Sequence, residues 1–448
     1  MLKKISMLVI CCSILLPAYA KENRGFFKPF TIQTPFDQAK VVSASVMLSR
    51  LVGSRPDYNA TASFVSENGL ILTNYHIAAT MISLHSPYIE TGFQAEDIHS
   101  GLPVSGFFIK VPQLEKKNGQ TILSGYKDVY RPIYLISFPP ERDYNITDEE
   151  LDNTTIKRAK DYVLLWVDYK PESYLEIDLS PIKTGEEAWL MGYPGMTLRT
   201  KEGVESFFEK WNADLPKIKQ DYEYFLKLKK SLSKMSNDEK LSLYKSLREY
   251  YRVSVGMAHS SSVASAYKMM GGASKIPVSE ELAAANLEKK FVFIEQQFVR
   301  YGAKGLERYR VSLGDIDKLP SQKDLGYPDA DGSLRFSCGV IKDISTLTCE
   351  GFAEKLKEKF IDKKKATDSL FEKFINALRS LGDSYFIIDA DCTDGNSGSP
   401  VLNSQGKLIG IYNAGLPKSA KEDKGNNGLF FPINKVWKDL RIELYIRK

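Results

Sequence analysis

The sequence predicts a mainly β fold interrupted by a helical insertion, organised as two β-barrels with the insert between their parts. Short strand-like runs bounded by turn signals occupy both ends of the chain, while a helical period takes over in the middle. The length of 448 residues exceeds the roughly 100 to 200 residues of one ordinary domain, so there is room for an interrupted β unit and its insert.

The first element is not part of the fold. Lys3 and Lys4 precede an apolar stretch at 5–16, and Pro17-Ala18-Tyr19-Ala20 places small residues before a cut after Ala20. This is the layout of a cleavable signal peptide over 1–20, which implies a periplasmic or secreted protein. The apolar stretch is too short to cross a bilayer of roughly 30 Å, and no later segment is long and apolar enough, so no integral membrane span is expected. Export permits disulfides. Of the 5 cysteines, Cys11 and Cys12 leave with the signal, and Cys338 and Cys349 are the candidate pair among the remaining three.

Residues 41–46, rich in Val, read as a strand. So do Ala62-Ser63-Phe64-Val65-Ser66 and Leu70-Ile71-Leu72-Thr73, joined by a Glu67-Asn68-Gly69 turn, the dipeptide that most strongly marks a hairpin. A buried-looking strand at 162–167 completes a first barrel over 21–180. A strand at 188–191, closed by Gly192-Tyr193-Pro194-Gly195, opens a second barrel over 181–200 and 333–448. Between its two parts, Leu215, Ile218, Tyr222, Phe225 and Leu228 recur at helical spacing, as do Leu287, Phe291, Ile294, Phe298 and Tyr301, with Gly302 at the place of a C-cap glycine. These stripes read as packed helix faces of an insertion over 201–332. Strand-like residues return at 334–341, a charged helix follows at 350–381, and further strands stand at 385–388, 400–402 and 408–412.

The formal charge of +5 falls to +3 once the two signal lysines are removed, with no concentrated basic block, so the sequence excludes a dedicated nucleic-acid binder. None of the 4 histidines sits in a HExxH or CxxC arrangement, and neither a metal nor another cofactor is expected.

The sharpest chemical signal is Gly395-Asn396-Ser397-Gly398-Ser399-Pro400, followed by a hairpin at 401–411. A serine hydroxyl attacks only with an adjacent base and with donors for the oxyanion that forms. A glycine two positions before Ser397 lets the turn aim the N–H groups of Gly395 and Ser397 at one point. The base is His76, which ends the strand of the Asn68-Gly69 hairpin, a setting that His85, His99 and His259 lack. A carboxylate must hold the imidazole in the right tautomer. Asp161, which opens the strand at 162–167, is the candidate, with Asp143, Asp152, Asp168 and Asp178 as competitors. The chain order His, Asp, Ser fits a chymotrypsin-like double barrel in which the first barrel carries base and orienter and the second the nucleophile.

With these residues in place a family resemblance is visible. The string from Ser66 to His76, then Leu84-His85-Ser86, Glu90-Thr91-Gly92-Phe93, Asp161-Tyr162, Met191-Gly192-Tyr193-Pro194-Gly195-Met196-Thr197, Tyr327-Pro328-Asp329-Ala330, Leu334-Arg335-Phe336 and Gly395 to Pro400 resembles the bacterial secreted dipeptidyl peptidases. These are chymotrypsin-like serine aminopeptidases with an inserted helical domain. The resemblance assigns nucleophile, base and orienter to Ser397, His76 and Asp161. It also has departures. Family members are usually much longer. Their Asn-His-His-Cys is Asn74-Tyr75-His76-Ile77 here, and the Asn-Trp-rich segment before their aspartate is replaced by residues 153–160. Tyr412-Asn413-Ala414-Gly415 stands where they carry Phe-Asp-Gly-Asn, whose acid helps hold the substrate's free amine.

The function expected is therefore an exported serine peptidase acting on peptides or proteins through an acyl-enzyme, foremost a dipeptidyl aminopeptidase. A trypsin-like endopeptidase and a catalytically inactive peptide-binding protein are the alternatives, and a homodimer stays open. Lys418, Lys421 and Lys424 mark a loop where a cation could meet an acidic side chain, although a solvated loop accounts for them as well.

Overall fold

The computed structural model describes residues 25–52, 55–83, 85–141, 145–148, 154–157, 160–195, 197–243, 295, 302–343, 385–393, 395–416 and 427–446. The signal segment, Asp143, Asp152, His259, Cys349, the helix expected at 350–381, the second helical stripe and the three lysines of the 418–424 loop lie outside the described residues.

Asp37 sets the first described helix. Its carboxylate accepts the N–H groups of Ala39 at 2.9 Å and Lys40 at 3.4 Å, satisfying donors that a helix N-terminus leaves orphaned. Residues Gln38–Ser43 form α1, and strand β1 follows at Ser45–Val52. The strand expected at 41–46 is thus helical as far as Ser43, because a local cap outweighs the modest strand preference of Val41 and Val42, both buried.

The first β region continues with β2 (Arg55–Phe64), β3 (Leu70–Thr73), β4 (Phe93–Gln94), β5 (Leu102–Val104), β6 (Phe107–Lys117), β7 (Gln120–Val129) and β8 (Ile133–Phe138). A separate ribbon pairs β9 (Asn145–Asp148) with β10 (Thr154–Lys157), and β11 (Val163–Val167) rejoins the sheet. Helix α2 (Tyr75–Ser83) leaves directly from the end of β3. The strand order is β4-β8-β11-β3-β2-β1-β6-β7 with β5 also on β8, a nine-stranded sheet in the place where the first barrel is expected.

The second β region closes. Strands β12 (Glu187–Gly192), β13 (Arg335–Lys342), β14 (Phe386–Ile388), β15 (Pro400–Leu402), β16 (Leu408–Leu416) and β17 (Asn427–Pro432) form a barrel in the order β12-β13-β14-β17-β16-β15, which leaves no free strand edge. Sheet and barrel share one apolar core. Leu70, Leu72 and Leu164 from the sheet join Trp189, Phe336, Leu402 and Phe431 from the barrel in a single buried cluster.

By its contacts the chain forms two compact units. Sheet and barrel lie in the first, made of Met1–Ser49, Asn59–Met196 and Ala330–Lys448; the second comprises Arg50–Tyr58 and Thr197–Asp329. In the second unit the helical period is realised as α3 (Lys201–Ser231), with Phe225 buried and Leu215, Ile218 and Tyr222 half-buried along one face. Shorter helices α4 (Ala303–Ser312) and α5 (Gln322–Leu325) follow. Gly302, expected to end a helix, is the N-cap of α4 instead, in extended backbone at φ −70° and ψ −175°. Glycine serves either end of a helix, so its presence alone does not fix which.

Asp329 organises the start of α3. It accepts Thr197 Oγ1 at 2.6 Å, the N–H of Arg199 at 2.8 Å and the N–H of Thr200 at 2.9 Å, together with the Thr200 hydroxyl. Thr200 Oγ1 in turn accepts the N–H of Gly203 at 3.0 Å and caps the helix. A carboxylate at a helix N-terminus is further favoured by the helix dipole. Residues 197–200 and Asp329, far apart in the chain, thereby meet within this unit.

In the first unit, β17 runs into α6 (Ile433–Leu440), which is followed by α7 (Glu443–Ile446). Ile433, Val436, Leu440 and Tyr445 are buried in the core shared by sheet and barrel.

Candidate active site

Register alone brings His76 and Asp161 together. Strands β3 and β11 pair antiparallel with Thr73 opposite Val163, so continuing that register outward puts Asp161 beside residue 75. There the chain turns into α2, and His76 occupies the first helical turn. Asp161 takes the backbone N–H of His76 on Oδ1 at 2.8 Å and the ring Nδ1 on Oδ2 at 2.6 Å. Asn74 donates its side-chain amide to the carbonyl of Asp161 at 2.7 Å and so ties the two segments a third time.

This contact decides the tautomer. An ionised carboxylate can only accept, so Nδ1 carries the hydrogen and the Nε2 lone pair is left for a proton. The Asp161 side chain is 0% exposed and that of His76 is 18% exposed, so the carboxylate is held away from water while the ring keeps an open edge. Tyr385 lies buried close by. Burial pushes its phenol well above the ordinary tyrosine range, and the negative charge of Asp161 adds to that, so the hydroxyl stays neutral.

The other described candidates are engaged elsewhere. His85 Nε2 meets the carbonyl of Pro103 at 2.9 Å, and the His99 ring lies edge-on to Trp166 with centroids 5.4 Å apart. Asp178 accepts the N–H of Ser180 at 3.0 Å and the side-chain amide of Asn403 at 3.0 Å, a turn-stabilising role, and Asp168 is exposed.

Ser397 stands on the loop that enters β15, and the hairpin expected behind it is formed by β15 and β16. Within the loop, Asn396 N–H bonds the Thr393 carbonyl at 3.1 Å, Asn396 Oδ1 accepts the Thr393 N–H at 3.0 Å and Ser399 N–H bonds the Asn396 carbonyl at 2.9 Å. Two glycines seat it. Gly398 has φ +82°, and a Cβ there would lie 2.2 Å from the Thr61 carbonyl and 2.5 Å from Thr73 Oγ1. Gly395 has φ +97°, and a Cβ would lie 2.5 Å from Gly195 N. Only glycine fits at either place. The same hypothetical Cβ of Gly398 would come 3.1 Å from Ile77 Cδ1, so the residue after Ser397 packs against the residue after His76.

The structure therefore brings His76 and Asp161 into direct contact and docks the Ser397 loop against residues 73 and 77. The Ser397 hydroxyl itself donates to the Asn413 carbonyl at 3.4 Å, a long bond, rather than to His76. Asn413 sits at a register shift between β16 and β17 and is buried. Gly395 and Ser397 share one loop, both half-buried. Asn74 and Thr61, which the sequence reading passed over, belong to this arrangement. A signal existed for Asn74 in its position one residue before a helix start. None existed for Thr61.

Comparison with known proteins bears on the segment carrying His76. The Peptidase S46 family model matches residues 54–121, and the model described as Peptidase S7, Flavivirus NS3 serine protease, matches residues 343–427. Over residues 54–121 the chain is similar to the S46 peptidases. Among solved structures, the chain is similar to Porphyromonas endodontalis DPP11 in an alternate conformation, with 14% identity, a TM-score of 0.49 and coverage of 95% of this chain and 99% of that one. The substrate complex of the same DPP11 gives 14% identity and a TM-score of 0.49 over 91% of this chain and 96% of that one. Rv3671c from M. tuberculosis, as a Ser343Ala mutant in an inactive form, gives 11% identity and a TM-score of 0.33 over 94% and 96%.

No group of three or more His, Cys, Asp or Glu side chains among the described residues could hold a metal ion, and no described helix is long and apolar enough to cross a membrane. Cys338 and Cys392 are both buried in the barrel.

Proposed function

We propose that this chain is an exported serine peptidase that cleaves peptide bonds through an acyl-enzyme, releasing dipeptides from free amino termini. The observation that carries the reading is the double contact of buried Asp161 with His76, at 2.8 and 2.6 Å, in the same unit as a serine loop seated against residues 73 and 77. Ser397 Oγ attacks the scissile carbonyl after turning from Asn413, and His76 Nε2 takes its proton. Asp161 stabilises the imidazolium formed, and the N–H groups of Gly395 and Ser397 receive the oxyanion. His76 then returns the proton to the leaving amine, and water repeats the sequence on the ester.

The reading includes a chymotrypsin-like plan. The nine-stranded sheet takes the place of the first barrel over 21–180, the closed barrel is the second over 181–200 and 333–448, and residues 201–332 are the insertion. Cleavage of the segment 1–20 delivers the enzyme outside the cytoplasm, in keeping with the secreted character of S46 peptidases. Substrates are peptides or proteins.

One observation favours an endopeptidase instead: the amide of Asn413 stands where an acid for the substrate amine is expected. Two measurements separate these readings. A fluorophosphonate probe is expected to label the parent and not Ser397→Ala, and a peptide with a free amino terminus is expected to be cleaved at least tenfold faster than its acetylated form. Equal cleavage of both peptides would establish the endopeptidase, and an unlabelled parent would remove the peptidase reading altogether.

A further inference from the structure

Thr61 is fully buried on β2, 334 residues from the loop it touches. Its Oγ1 accepts the N–H of Tyr193 at 2.9 Å and donates to the carbonyl of Gly395 at 3.1 Å. An amide N–H can only donate, so the single hydroxyl hydrogen is committed to Gly395 and its direction is fixed. The Thr61 carbonyl accepts Thr73 Oγ1 at 2.8 Å and is also the atom against which Gly398 packs. One residue of the sheet thus contacts the glycines on both sides of Ser397 and the strand that leads to His76.

The Gly395–Asn396 peptide unit lies between the two N–H groups assigned to the oxyanion. Its carbonyl is held by Thr61, and its N–H by the Thr393 carbonyl at 3.1 Å. Gly395 has no side chain to resist rotation, so the unit is steadied only by bonds at its ends. With its carbonyl released, the loop on either side is freed to shift, and the aim of the Gly395 and Ser397 N–H groups shifts with it. Oxyanion donors act only when aimed in advance.

We propose that Thr61 is a positioning residue for the reaction of Ser397, fixing the peptide unit between the two oxyanion donors; the inference rests on the acyl-enzyme reading above. It acts on the transition state and leaves substrate binding untouched.

The test compares the parent with Thr61→Val, which keeps the shape and loses the hydroxyl, and Thr61→Ser, which keeps the hydroxyl. On a peptidyl p-nitroanilide, kcat is expected to fall about 10- to 100-fold in Thr61→Val with KM changed less than about twofold, and Thr61→Ser is expected to stay within about threefold of the parent. In parallel, hydrogen–deuterium exchange in the fragment covering 393–399 is expected to quicken in Thr61→Val and to match the parent in Thr61→Ser. Parental kcat in Thr61→Val, an equal loss in Thr61→Ser, or unchanged exchange would overturn the proposal. Should Thr61→Val fail to fold, Thr61→Ala takes its place in both measurements with the same outcomes. A parent without turnover counts against the acyl-enzyme reading, and the exchange result then decides by itself whether Thr61 holds the peptide.

Discussion

Around His76 the molecule relies on a buried carboxylate and an amide, whereas around Ser397 two positions depend on having no side chain. Asp161 holds His76 through two hydrogen bonds of 2.8 and 2.6 Å, the second to the ring, and Asn74 is bonded to the Asp161 carbonyl at 2.7 Å. The Ser397 loop is seated by two glycines in left-handed backbone that let it settle onto neighbouring main chain. The first device is electrostatic and directional, so conservative changes in donor or charge disturb it. The second is steric, and one added carbon disturbs it. The difference suits the chemistry. In the reaction proposed above, the ring must hold one protonation pattern through a proton transfer, while the loop must keep its N–H groups free for the oxyanion.

The largest effect that would sharpen this contrast is expected from Asp161→Asn. The amide keeps the volume but presents a donor to one of the His76 hydrogens, forcing the wrong tautomer, and kcat is expected to fall about 10⁴-fold with the fold retained. Steady-state kinetics and circular dichroism check it; a loss below tenfold would show that Asp161 does not orient the base. Next is Gly398→Ala. Left-handed strain and a backbone contact at 2.2 Å are expected together to cost about 2 to 4 kcal/mol in urea unfolding. Gly106→Ala is the control, because Gly106 has φ +78° with nothing within 4 Å of a Cβ, so strain alone of about 1 kcal/mol is expected. Equal losses at the two sites would break the steric half of the comparison.

The smallest effect lies away from the site. Asp331 bonds Arg335, whose side chain is 1% exposed, at 2.9 Å. Burial would raise its carboxyl, but hydrogen bonds from Ser333 and Arg335 and the arginine's charge outweigh that and hold it at about 2, below the ordinary 3.8. A depressed carboxylate stabilises the fold above its unfolded pKa and loses that contribution as pH falls through its folded one. Stability is therefore expected to drop between about pH 4 and pH 2 in the parent, and Asp331→Asn is expected to lose this limb. Because the Asp331 side chain is 53% exposed, solvent screening limits the difference at pH 7 to about 1 kcal/mol or less. Denaturant melts across that window check it.

How much of this was legible in the sequence differs by residue. The glycine-flanked Ser397 stands out as a candidate because a reactive serine needs small neighbours and aimed N–H groups, requirements written within six consecutive residues. Asp161 and His76 could be paired because each borders a strand, and β3 and β11 prove to be neighbours. Five strands of the barrel, β12 to β16, followed from β-rich runs between turns, whereas β17 at Asn427–Pro432 was missed. Elements fixed by a single local bond or by distant contacts were harder. Asp37 turns a valine-rich run into α1 through one carboxylate. Gly302 opens a helix where spacing suggested an end. The long β6 and β7 hairpin carries its Asn118-Gly119 turn, yet its charged, solvent-facing strands blur the alternation that would announce it. Thr61, in Ala60-Thr61-Ala62, looks like any strand residue, since its partners Tyr193 and Gly395 lie 132 and 334 positions away.

The clasp at Asp329 bears on how the second unit can change. Thr197 and Asp329 are hydrogen-bonded at 2.6 Å, so the chain between them starts and finishes at the same point. For a segment whose ends are pinned, doubling its length adds only about 0.6 kcal/mol of closure entropy. Helices between residues 201 and 329 could be trimmed, lengthened or exchanged over evolutionary time while Thr197 and Asp329 stayed joined, and Asp329 rather than the helices it closes off is the part such changes must leave alone.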